Sequence, residues 1–303
     1  MKRKTFIQNT TAAGILTGIG GLGLLSSSFK TARKHITILH TNDVHSHIQP
    51  FPVDDAKYPN LGGVSRRYTL IESIRKENPN TLLLDAGDIF QGTPFFNFYG
   101  GELEFKLMSK LKYDAATLGN HDFDNGIDGL NAQLPHANFS FISSNYNFTN
   151  TVLDGKVKDY QIFTKDGVKI GVFGLGIELD GLVSKKNYKE TKYLNPVEIA
   201  QEMTKKLKQE EKCDLVICLS HLGYSYKHNK ISDLKLAEQT KDIDLIIGGH
   251  THTFLEKPTI VENMIGKKVL VNQTGWAGVN LGRIDFYLDE ENNISADGIA
   301  IEV

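Results

Sequence analysis

Residues 115–124 read Ala-Ala-Thr-Leu-Gly-Asn-His-Asp-Phe-Asp. An apolar run stops at Gly119, and three polar side chains, Asn120, His121 and Asp122, follow at once. A strand that ends this way projects its next side chains into the crevice where α/β proteins place their chemistry. Asn120 offers a neutral oxygen suited to a metal ion, and His121 can move a proton near neutral pH. Taken alone, such residues more often only satisfy the backbone of their own loop. Four other segments change that reading.

Each of the four is again an apolar strand pattern that ends in metal-type ligands. They are His35-Ile-Thr-Ile-Leu-His-Thr-Asn-Asp43-Val-His45, Leu82-Leu-Leu-Asp-Ala-Gly-Asp88, Asp214-Leu-Val-Ile-Cys-Leu-Ser-His221 and Asp244-Leu-Ile-Ile-Gly-Gly-His250-Thr-His252. In Asp43-Val-His45 and His250-Thr-His252 the paired residues are two apart, so in extended chain both side chains face one way. The ordered blocks Asp-x-His, Gly-Asp, Gly-Asn-His-Asp, Ser-His and Gly-His-x-His resemble the calcineurin-like metallophosphoesterase superfamily. Thr41-Asn-Asp-Val-His45, Gly87-Asp88 followed by Gln91-Gly-Thr-Pro94, and His121 followed by Asp124 narrow the resemblance. They are similar to the catalytic domain of the 5′-nucleotidase / UDP-sugar hydrolase family. The likeness extends over about residues 36 to 290.

That resemblance implies an α/β fold, a four-layer α/β/β/α sandwich of two mixed sheets flanked by helices. It also implies a dinuclear metal centre. Asp43, His45, Asp88 and His252 would hold one divalent ion, and Asp88, Asn120, His221 and His250 the other, with Asp88 bridging. Hydrolysis would then proceed by attack of a metal-bound hydroxide, two ions about 3.5–4 Å apart being the usual arrangement. The mixed nitrogen and oxygen donors suit Mn, Zn, Fe or Co. His121 is implied as the catalytic proton donor or transition-state stabiliser, oriented by Asp124 three residues on. Asp122 reads as a support for the loop.

The first 34 residues differ from the rest. Lys2, Arg3, Lys4, Lys30, Arg33 and Lys34 give six positive charges and no acid, and they bracket the Gly- and Ala-rich apolar stretch Thr10 to Ser28. This reads as an export signal with basic and apolar regions. Lys2-Arg-Lys-Thr-Phe-Ile-Gln8 resembles the twin-arginine pattern, with Lys4 where the second Arg belongs. A retained membrane anchor through residues 10–28 is the competing reading, because its 19 residues can just span a bilayer. The expected localisation is exported, periplasmic or cell-envelope. The formal charge is −2 overall and six units more negative without that segment. So acidic a domain, with no basic stripe, is a poor candidate for nucleic-acid binding. Cys213 and Cys218 sit five apart in a strand pattern, roughly 16 Å at the usual rise per residue, too far for a disulfide.

Strand and helix patterns alternate along the remainder. Val64, Tyr68, Ile71 and Ile74 recur at helical spacing on one face of a helix to about Lys76, which Pro79 stops. Further helices are expected at 102–111, 126–133, 196–210 and 232–240. Strands are expected at 36–40, 81–85, 115–118, 139–143, 158–164, 168–174, 214–219 and 244–247. Short strands follow residue 256, with turns at Gly266, Gly275, Gly282 and Asp289–Asn293. His35, His40, His47, His136 and His228 read as packed or solvated residues, and Arg66 and Arg67 as helix-surface residues. Phe95, Phe96, Phe98 and Tyr99 are read either as a pocket mouth or as core. Residues 35–303 thus form the catalytic domain in this reading.

The expected substrate is a small phosphate ester, foremost a nucleotide. In the family that this stretch resembles, a second domain clamps base and ribose. Asn292 to Val303 is too short for such a domain, so a separately encoded nucleotide-binding protein is an expected partner. A non-catalytic scaffold subunit and a thiosulfohydrolase-type relative are the rival readings. The filled set of ligand positions argues against the scaffold.

Overall fold

The computed structural model describes residues 33–291 and 293–303. The segment read as an export leader therefore lies outside the described residues, apart from Arg33 and Lys34. Lys34 opens the first strand.

Two six-stranded sheets carry the molecule. Along the first, β1 (Lys34–Thr41), β2 (Thr81–Asp85), β3 (Ala115–Ala116) and β4 (Ser140–Phe141) run parallel. In sequence order β5 (Tyr146–Asn147), β6 (Tyr160–Lys165), β7 (Val168–Leu175) and β8 (Lys192–Tyr193) follow, then β9 (Leu215–Ser220), β10 (Leu245–Gly248), β11 (Thr259–Glu262) and β12 (Lys268–Asn272). The antiparallel hairpin β13 (Asn280–Leu288) and β14 (Ile294–Glu302) closes the first sheet beside β1. The second sheet runs β11-β12-β10-β9-β7-β6, parallel inside and antiparallel at both edges. β5 and β8 pair separately.

The alternation of side chains along each strand decides the layering. Ile36, Ile38, Leu82 and Leu84 of the first sheet meet Ile170, Val172, Leu215, Ile217, Leu245 and Ile247 of the second in one buried layer. The intervening Leu39 and Leu83 point the other way, onto α1 (Val64–Glu77), α3 (Glu102–Lys110) and α4 (Gly126–Gln133). Val216, Cys218 and Ile246 likewise face α6 (Pro196–Lys205) and α7 (Asp233–Glu238). The shorter α2 (Pro94–Tyr99) and α5 (Lys185–Tyr188) complete the helices. Strands covered on both faces read as continuous apolar runs, as Leu82-Leu-Leu84 and Leu215-Val-Ile-Cys-Leu219 do. The result is a four-layer α/β/β/α sandwich, and both cysteines are buried and free.

Four expectations are corrected. Gly282 is not a turn but sits inside β13, opposite His40. A Cβ there would come within 2.0 Å of His40 Nε2, which accepts from Asn272 Nδ2 at 2.8 Å. Burial pushes the His40 imidazole down to about 3, so it packs as a neutral ring. Gly282→Ala should therefore destabilise the fold by about 1–3 kcal/mol, the usual result of overpacking. A melting temperature equal to that of the wild type would contradict this packing.

Secondly, Tyr68 is 44% exposed, and Arg67 takes its place beside Ile71 and Ile74 on the inward face of α1. Spacings of four and seven residues put 67, 71 and 74 on one face as readily as the apolar pattern did. Thirdly, the helix begun at Pro196 widens at Lys206 into a π turn. There Glu211 N donates to Lys206 O at 2.9 Å, with Leu207 buried beneath it. Fourthly, the Phe95–Tyr99 aromatics do not act together: Phe96 is buried, whereas Phe98 is 83% exposed.

The pairing register sets the level of the strand ends. Thr41 is opposite Asp85, Asp85 opposite Ala116, and Ser220 opposite Gly248. The loops after β1, β2, β3, β9 and β10 consequently emerge at one edge of the sandwich.

Candidate metal centre

Those five loops carry the predicted residues. Asp43 N donates to Gly87 O at 2.9 Å, His45 N to Asp88 O at 3.0 Å, and His121 N to Asp88 Oδ1 at 2.8 Å. His250 N donates to both oxygens of Asp43, at 2.9 and 3.0 Å. Backbone N–H groups of the loops after β3 and β10 thus hold the carboxylates of Asp88 and Asp43. Gly119 permits a close approach, since a Cβ there would lie 2.2 Å from Asp88 Oδ1.

The side chains gather into two groups, Asp43 with His45 and His252, and Asp88 with His221 and His250. Within each group the donor atoms lie within 4.8 Å of one another. Asp88 also faces the first group, with Oδ2 3.8 Å from His45 Nε2. Asn120 Oδ1 lies 2.8 Å from His250 Nδ1, which joins it to the second.

Hydrogen bonding fixes which ring nitrogen of each histidine faces the centre. A carbonyl can only accept, and the Ala86 carbonyl lies 2.7 Å from His221 Nδ1, so Nδ1 holds the proton. Nε2 is then the nitrogen left to bind a metal once its proton is displaced; it is buried, 3.0 Å from Asp88 Oδ2 and 3.9 Å from Asp43 Oδ1, without a hydrogen-bond partner among the described residues. His45 repeats the pattern, with Nδ1 3.2 Å from Phe90 O and Nε2 3.0 Å from His252 Nε2. Several ring nitrogens and two buried carboxylates therefore converge at the mouth of these loops. Such a cluster requires compensating positive charge, from protons or from metal ions.

Titration behaviour reflects that demand. Burial opposes charge on the His221 imidazole, but the Asp88 carboxylate outweighs it and raises the ring to about 10. Burial also opposes charge on Asp88, yet His221, His45 and His121 hold it well below the usual carboxylate range. Burial lowers His45, and burial followed by His221 lowers His250 to about 4, so both favour the neutral, ligating form. The donor set, imidazole nitrogen with carboxylate and amide oxygen, fits Mn, Zn, Fe or Co.

His121 stands outside both groups. Its ring packs edge-on against His45 at 5.2 Å, its Nδ1 is 2.7 Å from Asp124 Oδ2, and its side chain is 37% exposed. The Asp124 hydrogen bond raises its pKa above the ordinary histidine value. Asp122 turns inward instead and accepts from the backbone N–H groups of Asp88, Ile89, Phe90 and Gly119 at 2.8–3.2 Å. Burial and the Asp88 charge push its carboxyl up to about 7 against the pull of these donors. Asp122→Ala should leave several buried N–H groups unsatisfied and lower stability by at least about 3 kcal/mol. Denaturant unfolding would measure it, and an unchanged midpoint would refute the role.

The family profile for calcineurin-like phosphoesterases matches residues 36–254, which include all five loops. The chain belongs to the calcineurin-like phosphoesterase family. This calcineurin-like phosphoesterase is 35% identical over 294 residues to the trifunctional nucleotide phosphoesterase protein YfkN of Bacillus subtilis, covering 86% of this chain and 19% of that protein. It is 35% identical over 280 residues to the snake venom 5′-nucleotidase of Crotalus adamanteus, covering 86% of this chain and 46% of the venom protein. The chain thus spans less than half the length of either curated relative. The crystal structure of a 5′-nucleotidase precursor from Thermus thermophilus superposes with a TM-score of 0.81 at 33% identity, over 89% of this chain and 55% of the other.

Two residues around the centre of this phosphoesterase were not singled out by sequence. Asn42 donates through Nδ2 to Asp43 Oδ2 at 2.6 Å and to Gly275 O at 2.7 Å, and its Oδ1 accepts from Thr274 N at 2.9 Å. Trp276 stacks on His252, with ring centroids 5.8 Å apart and planes 7° apart. Asn42 lay inside a quoted motif, but its partners Thr274 and Gly275 stand 232 and 233 residues away and leave no local spacing. Among the described residues, no helix is long and apolar enough to cross a membrane.

Proposed function

We propose that this phosphoesterase hydrolyses phosphate esters, nucleotides foremost, at a centre that holds two divalent cations. The observation that carries the reading is the convergence of two ligand groups on Asp88, with His121 beside them and in neither. Asp43, His45 and His252 would hold one ion, Asn120, His221 and His250 the other, and Asp88 would be shared by both. Two such ions neutralise charge on the phosphoryl oxygens and bring the pKa of water toward neutrality.

The remaining roles fall to the chain itself. Asp124 accepts the Nδ1 proton of His121 and so fixes the ring with Nε2 free to face the ester. A proton held at Nε2 can be donated to a phosphoryl oxygen or to the departing alkoxide, which is general-acid catalysis. The backbone N–H of His121, bound to Asp88 Oδ1, ties the proton donor to the bridging carboxylate. Nucleotides are preferred as substrates because the Crotalus and Thermus relatives are named 5′-nucleotidases and the Bacillus relative a nucleotide phosphoesterase. The basic and apolar composition of residues 1–34 supports export of the chain.

Metal analysis of the purified chain followed by a hydrolysis panel tests the reading. The panel holds nucleoside monophosphates, a UDP-sugar, a cyclic nucleotide and a simple phosphomonoester. Two ions per chain and hydrolysis of a nucleotide, abolished by a chelator and restored by Mn, Zn, Fe or Co, are expected. A chain loaded with two ions that cleaves no phosphate ester would overturn it.

A further inference from the structure

The loop that carries the first ligand pair has an unfavourable backbone. Asp43, His45 and Ser46 hold positive φ, at 50°, 49° and 57°, and none of them is glycine. Side chains disfavour this region, so such a run persists only where its surroundings over-determine it. Part of the restraint comes from β2's loop, where Ser46 N donates to Ile89 O at 2.9 Å and His45 N to Asp88 O. The rest comes from behind. Thr93 Oγ1 donates to Ser46 O at 2.8 Å, and Ser46 Oγ donates to Glu104 Oε1 of α3.

Glu104 and Arg67 are each only 5% exposed. Glu104 Oε2 and Arg67 Nε and Nη1 have no hydrogen-bond partner among the described residues. Both side chains line one pocket beneath Val44 and Ser46, of which about 30 Å³ is open to water. That is room for one or two water molecules, each able to satisfy several buried polar groups. Arg67 also packs against the opposite wall of the loop. A Cβ on Gly278 would come within 2.1 Å of Arg67 Nη1, and the neighbouring Ala277 N donates to Asp43 O at 2.8 Å. The same segment carries Trp276, stacked on His252. Arg67 thus sits where two restraints on Asp43, His45 and His252 meet.

We propose that Arg67 and Glu104 are positioning residues for this one ligand group. Bridged by water in the pocket, these two buried side chains hold Ser46, and through it Asp43 and His45, in the left-handed backbone that aims their side chains. The inference rests on the two-ion reading given above. It assigns a role to two buried charged residues that touch neither ion nor ester, and it is specific to the first group. None of the contacts described for Arg67 or Glu104 reaches Asn120, His221 or His250.

Zn²⁺ titrated against a competing chelator on the wild-type chain, Arg67→Met, Glu104→Gln and the double variant tests it. Arg67→Met keeps an unbranched apolar stem without the charge, Glu104→Gln conserves side-chain length, and the side-chain amide it introduces can still accept from Ser46. Each single variant should bind one Zn²⁺ about 10- to 100-fold more weakly, the usual effect of losing support behind a ligand, and the other Zn²⁺ unchanged. The ion retained should be the one that Asn120→Ala weakens. Each single change strands a buried charge that the double change removes, so the double variant should bind no more weakly than the weaker single. Additive losses, equal weakening of both ions, or unchanged affinity would each overturn the proposal. A wild-type chain that binds no Zn²⁺, Mn²⁺ or Co²⁺ would instead overturn the two-ion reading beneath it.

Discussion

Asp88→Ala is expected to reduce hydrolysis to background and to release both metal ions. Asp88 is 1% exposed, and its Oδ2 lies 3.0 Å from His221 Nε2 and 3.8 Å from His45 Nε2, one nitrogen from each ligand group. Removing it deletes a buried carboxylate that faces both groups and lies nearest to His221. It also leaves the His121 N–H without its acceptor. A chain without metal loses both charge neutralisation and the acidified water, so the two losses should appear together. Asn120→Ala should be milder and weaken mainly the second ion, because Asn120 contributes one neutral oxygen beside His250. Metal content and kcat measured on the same preparation decide the matter. Two ions per chain with near-normal turnover in Asp88→Ala would remove Asp88 from the bridging position.

The second large effect is expected at His121. His121→Ala should keep metal content near that of the wild type and lower kcat by about 10²–10⁴, the range for a positioned acid or base. The separation follows from geometry: the ring belongs to neither ligand group and is more than a third exposed, while His45 and His221 are buried. Asp124→Asn should reproduce part of the loss. An amide can still bond to Nδ1, but it cannot stabilise the imidazolium as a carboxylate does. Loss of one ion in His121→Ala would make His121 a ligand, and an unchanged kcat would leave it without a catalytic role.

Much of this could be read in one dimension because strand and loop chemistry is local. Apolar runs that end abruptly in Asp, Asn or His mark strand ends, and the order of five such ends carried the family resemblance that implies the sandwich. Gly282 misled because glycine is a turn residue in most settings. Its actual cause, the ring of His40 against the strand, is a contact between β1 and β13. Arg67 misled for a related reason: a cation in a helix is ordinarily solvated, and only the pocket with Glu104 gives it a buried place. Asp122 was legible as a supporting residue because it follows the motif directly. The count of N–H groups that it binds was not.

By itself the sequence determined which residues could ligate a metal, on which loops they stand, and the alternation that buries the two sheets against each other. Tertiary structure alone decided that Asp88 faces both groups, that His121 stands outside them, and that Asn42, Glu104, Arg67 and Trp276 surround the first. The reason is physical. Ligand type and strand periodicity are properties of neighbouring residues. A hydrogen bond from Asn42 to Gly275 or a ring of Trp276 on His252 exists only after the register of both sheets has brought distant loops to one edge.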